Sequence, residues 1–549
     1  MRQTTLSQLY RQEFQGYTRA KFGQDLLAGL TVTAVALPLA LAFGVASGAT
    51  AAAGLITAIV SGLAIGLLSG APYQISGPTG AMSAVLILLV QQFGLPGVWA
   101  AALMSGVILL ALGLLRLGRI ISYIPAPVIT GFTSGISLII AIGQLDNFLG
   151  VSTPGSESAA LKLFGFFRGG FTPDWHAMAL GALVIVLMLV WPKKWQARVP
   201  SSLAAIIIAL GVSLALGWQV DTVGDIPRTL LPDERLTFAS IPWAHLGDLL
   251  GPAITIAVLG MVESLLCGAV AGNMTGVNLH ADQELIAQGI GNIALPFVGG
   301  VPATAAIART SVGIKSGGHT RVVTVVHALG LLASMFALSG FMSRIPLAAL
   351  SGVLMVTALR MNEWDSIRYM FRNRFKSAMA AFLVTMACTV ALDLTKAIIA
   401  GVVISALLFI KTIAELSVTV QEVDPDRLRE RGIANAGRCR HAKVAYLTGP
   451  VFFAAVDSLH AAFADLGTTH TLILSMRGVP LLDLCGLQAL EKLASAYKDR
   501  NCTVMLAGVQ PGVLKMMERG SLLRDIGPEN LFWSADQAIV AAEERGCPC

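Results

Sequence analysis

Glu263 is the only acidic residue in the apolar run Gly251–Gly272. A charged, unpaired carboxylate at membrane depth costs several kcal/mol, so such a residue is a functional-site candidate by default. Able to switch between charged and neutral forms, it would carry a coupling proton. Arg309 is the one fixed positive charge in a glycine- and proline-broken stretch, Gly299-Gly300-Val301-Pro302-Ala303-Thr304-Ala305-Ala306-Ile307-Ala308-Arg309-Thr310. A guanidinium can hold a carboxylate or sulfate at two points. A second stretch of the same character, Gln74-Ile75-Ser76-Gly77-Pro78-Thr79-Gly80-Ala81-Met82, lies in the first half of the chain.

Each stretch follows a long hydrophobic span and opens a new, short one. A proline just inside a helix start is tolerated because its missing N–H has no intrahelical partner there. Matched interruptions in the two halves of a membrane protein point to a binding site at the midplane. Two helix N-termini facing each other would present free N–H groups and positive dipole ends, which suits an anion. Ser76, Gly77, Pro78, Thr79 and Gly80 are small or compact enough to let an anion reach those amides. Thr304, Ala308 and Thr310 are candidates by proximity to the second break. The competing structural reading is that Gly-Pro breaks need no ligand, and that Arg309 neutralises Glu263. The two readings can coexist, because arriving substrate and leaving proton would both perturb such a pair.

The elements that position these groups are apolar spans. Of 549 residues, 55% are hydrophobic and 13% charged, with a mean hydropathy of +0.72. A soluble globular protein carries roughly 25% charged residues, so most of this chain is membrane-embedded. Fourteen spans are expected near 26–46, 50–69, 77–92, 98–115, 124–145, 175–191, 201–218, 251–271, 284–299, 303–315, 322–340, 346–359, 377–392 and 395–412. The third and tenth are conspicuously short. Pro38 interrupts the first.

Arg116, Arg119, Lys193, Lys194, Arg198, Lys315, Arg321, Arg360, Arg368, Arg372, Arg374 and Lys376 fall on one side with Arg11, Arg19 and Lys21. The opposite side is sparse and mixed, with Asp221, Asp225, Asp233 and Glu234 in its longest loop. The positive-inside rule then places both termini in the cytoplasm of a multi-pass inner (plasma) membrane protein. The net charge of +6 is not clustered as a nucleic-acid stripe requires, so no nucleic-acid partner is expected. Residues 1–24 form a polar cytoplasmic segment without the apolar region of a signal peptide. None of the seven cysteines falls in a loop expected outside, so no disulfide framework is needed.

After about residue 413 the chain changes character. Val444–Leu447, Thr471–Met476 and Thr503–Ala507 read as strands, and Leu487–Lys498 and Gly512–Arg519 as helices. Alternation of this kind predicts a small α/β domain over 437–549, joined by a charged linker at 413–436 to a transport domain at 25–412. No P-loop, dinucleotide fingerprint, zinc spacing or nucleophile elbow appears. No metal, cofactor or enzyme activity is therefore expected.

Several separated motifs resemble the sulfate permease (SulP) family, which includes pendrin and prestin. They are Asp25-Leu-Leu-Ala-Gly-Leu-Thr-Val32, Ala36-Leu37-Pro38, Gln74–Gly80, Gln283-Glu-Leu-Ile-Ala-Gln-Gly-Ile-Gly-Asn292 and Ile307-Ala-Arg-Thr310, and the tail is similar to a STAS domain. The resemblance implies an α-helical polytopic fold of two inverted seven-span repeats. Spans 1–4 and 8–11 would form a core and the rest a gate, in a lipid-embedded homodimer with elevator-like movement. It places Pro38 and Phe43 beside the substrate, where an electropositive ring edge can face an anion. It also gives Glu263 and Arg309 substrate-facing positions. Leu39 stands where many relatives have Gln. Cys267 lies one turn after Glu263, where bicarbonate-transporting relatives have a hydroxyl, and a neutral thiol is a poor sodium ligand. Proton coupling is accordingly favoured over sodium.

In the tail, Leu482-Asp483-Leu484-Cys485-Gly486 resembles the Asp-Ser-Ser-Gly loop of anti-sigma-factor antagonists, with Cys485 in place of the phosphorylated serine. The expected function is secondary-active transport of a small anion such as sulfate, bicarbonate or a C4-dicarboxylate. The alternatives are sodium-coupled bicarbonate symport, and anion exchange or a channel.

Overall fold

A computed structural model describes residues 6–119, 125–153, 159–168, 172–192, 195, 199–241, 243–391, 394–414, 416–423, 428, 430, 441–464 and 469–545. Lys193, Lys194, Arg198, half of the expected linker, Cys439, Cys547 and Cys549 lie outside these residues. The chain divides into two units, Met1–Val403 and Ile404–Cys549.

The first unit is helical because its apolar runs leave no water to satisfy the backbone, which must bond within each segment. After a short amphipathic helix, α1 (Leu6–Glu13), come α2 (Arg19–Ala46) and α3 (Ala51–Leu68). A two-residue strand, β1 (Ser76–Gly77), precedes α4 (Gly80–Leu114). Then follow α5 (Ala126–Gly143), α6 (Trp175–Val190), α7 (Ser201–Leu216), α8 (Leu246–Thr275) and α9 (Ala281–Ala294). A second short strand, β2 (Thr304–Ala305), leads into α10 (Ile307–Lys315), α11 (Val322–Ala337), α12 (Leu347–Met361), α13 (Lys376–Ala391) and α14 (Leu394–Ile413). Among the described residues, five helices are long and apolar enough to cross a membrane, and further apolar helices are shorter. The third and fourth expected spans are the two halves of α4, separated by Gly94 (φ 66°, ψ −175°) and Pro96. The tenth is short, as expected: α10 has nine residues.

Packing sorts these helices into two groups. In the first, α2, α3 and α11 interlock, with Thr33 Oγ1 donating to the His327 carbonyl (3.3 Å) and Thr324 Oγ1 to that of Gly62 (3.0 Å). The helices α8, α9 and α10 join this group with α4. In the second, α5 packs on α13, and α12 packs on α6. Ser137 Oγ of α5 donates to the Ala358 carbonyl of α12 at 2.6 Å. These groups correspond to the expected core and gate.

The N-terminal segment is bound to the first group. The Arg321 guanidinium meets the Glu13 carboxylate at 2.7 Å, donates to the Leu67 carbonyl at 2.6 Å and stacks over the Tyr10 ring at 4.1 Å. Both charges are almost fully buried; a buried ion pair of this kind is costly to break from one side. Asp25 accepts from the Thr320 hydroxyl (2.6 Å) and from Tyr17 (2.7 Å). Burial, then the bond to Asp25, pushes the Tyr17 phenol up to about 12.

The second unit is a five-stranded sheet in the order β3 (Ser417–Glu422), β4 (Ala442–Thr448), β5 (Thr471–Gly478), β6 (Thr503–Ala507), β7 (Leu531–Phe532). Only β3 is antiparallel to its neighbour. Helices α15 (Val456–Phe463), α16 (Leu484–Lys498) and α18 (Ala535–Glu544) pack against it, and α17 (Pro511–Arg519) packs on α16. The stretch expected as linker therefore contains a strand: Ser417–Glu422 alternates exposed and half-buried residues along the sheet edge. Asp483 caps α16 by accepting from the Gly486 N–H (2.7 Å), while its other oxygen takes the Phe453 N–H (3.0 Å). Cys485 is exposed beside that cap.

Candidate anion site

The two breaks meet. Ser76 pairs with Ala305 and Gly77 with Thr304 in a two-residue antiparallel ladder. The Ala306 N–H donates to the Ile75 carbonyl at 2.9 Å and extends it. Each strand is followed within three residues by a helix, α4 after β1 and α10 after β2. Because the strands run in opposite directions, the two helices leave the crossing oppositely and their N-termini flank it. Each N-terminus carries roughly half a positive charge and several unpaired N–H groups.

Arg309, the third residue of α10, is 1% exposed and lies across the crossing. Its Nη2 donates to the Pro78 carbonyl at 2.6 Å. A Cβ on Gly77 would lie 3.1 Å from the guanidinium carbon and closer still to Nη1, so any larger residue there must displace the guanidinium. Nη1 itself is buried with no hydrogen-bond partner. A buried charged donor without a partner is expensive.

Helix α8 contacts both breaks. Thr79 Oγ1 donates to the Glu263 carboxylate at 2.8 Å, and accepts from the Met82 N–H at 3.4 Å as the N-cap of α4. Ser264 Oγ lies 3.0 Å from Thr304 Oγ1 and accepts from the Ala305 N–H at 3.2 Å. Cys267 Sγ donates to Thr310 Oγ1 at 3.3 Å, and that hydroxyl also accepts from the Ile75 N–H at 3.0 Å. Glu263 and Arg309 make no direct ion pair: the carboxylate is bonded to Thr79 and the guanidinium to Pro78. Mutual neutralisation by contact is therefore not the arrangement.

The candidate residues separate by what their polar atoms do. Ser76 accepts from Gln288 Nε2 (3.0 Å), and Thr304 and Thr310 are engaged with Ser264, Cys267 and the backbone. These three hold the breaks in place. Glu263 is only half-buried and Ala308 is exposed, so the open side of the crossing lies by the carboxylate and the first turn of α10. Phe43 is brought to the first break: its Cε1 would lie 3.1 Å from a Cβ on Gly80. Pro38 is buried in α2, about one and a half turns before Phe43 on the same helix.

Sequence reasoning missed a polar ladder on α9. Glu284 accepts from the Ser69 hydroxyl (2.6 Å) and the Gly70 N–H (3.0 Å), Gln288 reaches Ser76, and Asn292 clamps Ala303. In that clamp Asn292 donates to the Ala303 carbonyl (2.9 Å) and accepts its N–H (2.8 Å). All three side chains are fully buried. Glu284 is thus a second carboxylate beside the breaks, and a more deeply buried one than Glu263. The signal was present in Gln283–Asn292: polar residues at i, i+4 and i+8 of an apolar run share one helix face.

The profile of the "Sulfate permease family" matches residues 22–387, and that of the "STAS domain" matches residues 436–538. The Bacillus subtilis protein YvdB is 33% identical over 95% of this chain and 98% of its own. The bicarbonate transporter BicA of a Picosynechococcus strain is 29% identical over 94% of each chain. The solved structure of SLC26A9 superposes with a TM-score of 0.84, covering 98% of this chain and 93% of that one at 20% identity, which bears on the fold alone. The chain belongs to the sulfate permease family and carries a C-terminal STAS domain.

Proposed function

We propose that this protein is a membrane transporter of small anions of the sulfate, bicarbonate or C4-dicarboxylate class, driven by proton symport. The observation that carries the reading is the buried Arg309 guanidinium, whose unpartnered Nη1 lies at the crossing that the α4 and α10 N-termini flank. An anion there gains a fixed cation, two dipole ends and free amides at once. Family membership and the relative named as a bicarbonate transporter support the same substrate class.

Glu263 is the coupling group of this proposal. It bonds Thr79, the cap of α4, so its protonation changes the charge beside the anion's own ligands. When ionised it repels an incoming anion; when protonated it does not, so proton and anion travel together. A thiol at Cys267, already donating to Thr310, supplies no hard oxygen for sodium. Alternating access would come from the group holding both breaks moving against the group built on α5, α12 and α13, in an elevator-like manner. The working unit would be a homodimer in the lipid of the inner membrane, with both termini cytoplasmic.

The test is uptake of labelled sulfate, bicarbonate and succinate into proteoliposomes under an imposed proton or sodium gradient. Saturable uptake driven by an inward proton gradient supports the proposal. Uptake that needs sodium and ignores the proton gradient overturns the coupling, and no uptake of any anion overturns the substrate class.

A further inference from the structure

The apolar wall of the site comes from two helices that belong to different packing groups. Gly80 is the first residue of α4, and a Cβ there would tilt toward the helix N-terminus, where the anion is proposed to bind. That space is filled by Ile140 of α5. Its Cδ1 lies closest to the position of the missing Cβ, its Cγ1 lies 3.4 Å away, and the Phe43 ring edge lies 3.1 Å away. Ile140 is 5% exposed. Its helix is otherwise tied to the other group: Thr130 Oγ1 donates to the Glu363 carboxylate (2.9 Å), and Ser137 bonds the Ala358 carbonyl. Gly135 of α5 packs on Thr389 of α13, where an added Cβ would lie 2.5 Å from the threonine Cβ. Helix α5 is therefore fixed to its own group, while Ile140 is the side chain it presents to the α4 N-terminus.

We propose that Ile140 sets the upper size limit of the anion this site accepts. The proposal rests on the anion site described above. Phe43 belongs to α2 and moves with the breaks, so the distance from Phe43 to the α4 N-terminus is fixed within one group. The distance to Ile140 is set between groups, and its Cδ1 methyl is the wall atom nearest the position of a Cβ on Gly80. A compact anion such as bicarbonate clears it. A longer one such as succinate must displace it, or must hold α5 away from Gly80 and so oppose closure. Backbone amides and Arg309 do not distinguish these anions by size, because both groups reach any anionic oxygen placed at the crossing.

Competition measurements on the full-length protein in proteoliposomes test this directly. Inhibition constants of bicarbonate, sulfate, oxalate and succinate are measured against one transported tracer for the wild type, Ile140→Val, Ile140→Ala and Ile140→Phe. Ile140→Val removes just the Cδ1 methyl, so it retains the fold if the larger truncation does not. The succinate-to-bicarbonate ratio of inhibition constants should fall about threefold in Ile140→Val and tenfold or more in Ile140→Ala. It should rise in Ile140→Phe. A shifted melting temperature with an unchanged ratio in all three variants would make Ile140 a packing residue and overturn the proposal. An Arg309→Ala arm separates the two levels of inference. If competition is lost in Arg309→Ala while the Ile140 ratios stay constant, only the size-limit proposal falls. If Arg309→Ala competes like wild type, the anion site itself is misplaced.

Discussion

Thr79 and Glu263 are joined by a 2.8 Å hydrogen bond, and the same threonine hydroxyl caps α4. The carboxylate thus touches, through one oxygen atom, the helix terminus proposed to hold the anion. A hydroxyl can donate to an ionised carboxylate or accept from a protonated one, so the contact survives both states while the charge changes. In Glu263→Gln the amide can still accept from Thr79, and folding and expression should match wild type. Uptake driven by a proton gradient should be lost, and the remaining anion binding should become flat between pH 5 and 8. Gradient-driven uptake indistinguishable from wild type across that range would remove Glu263 from the coupling step.

The guanidinium of Arg309 occupies the space a Gly77 side chain would need. Gly77→Ala should therefore act on the arginine rather than on the strand, because the pairing of Gly77 with Thr304 uses only backbone atoms. Displacing the guanidinium from the Pro78 carbonyl should weaken anion binding about tenfold, which corresponds to ~1.4 kcal/mol. Arg309→Ala should lose more, since truncating a buried charge partner costs about 2–5 kcal/mol. Titration calorimetry on purified protein reads both. Equal, wild-type affinity in the two variants would leave the helix termini alone as the anion ligand.

Asn292 replaces a strand partner for Ala303 by bonding both its N–H and its carbonyl. Asn292→Ala leaves both backbone groups buried and unpaired, at a cost of roughly 2–4 kcal/mol. The second break should loosen ahead of α10, lowering both the melting temperature and the affinity for anion. A variant that melts as wild type does would show that the loop before β2 holds its shape without the clamp.

The breaks were legible because glycine, proline and small hydroxyl residues in an apolar run have few other uses, and because the pattern occurs once in each half. Glu263 was legible as the lone acidic residue of the apolar run Gly251–Gly272. What each hydroxyl does was not. Ser76 is satisfied by Gln288, Thr310 by Ile75 and Cys267, and Thr304 by Ser264. Two of these pairs join residues more than 200 positions apart and the other two join residues about 40 apart, and sequence spacing carries no trace of them. Ile140 was invisible for a different reason: one isoleucine in an apolar helix looks like every other until its partner is known to be a glycine at a helix start. Strand β3 was missed because Ser417-Val-Thr-Val-Gln-Glu422 sits on a sheet edge, where only the alternate valines are even half-buried.

That strand changes where the tail can be removed. Ending the chain near residue 436 deletes β4 (Ala442–Thr448) but leaves β3, whose six residues pair with it through Glu422↔Lys443 to Ser417↔Thr448. The remnant would present an unpaired edge to neighbouring molecules, which invites aggregation. Ending after Ile413 removes the strand together with its sheet. The shorter chain should therefore express and chromatograph better than the longer one. It should also bind anion with wild-type affinity, because Phe43, Thr79, Glu263 and Arg309 all lie upstream of α11. Size-exclusion chromatography and calorimetry on the two truncations decide it. Loss of anion binding in a well-folded chain ending at Ile413 would place part of the site in the tail and refute a site confined to the membrane unit.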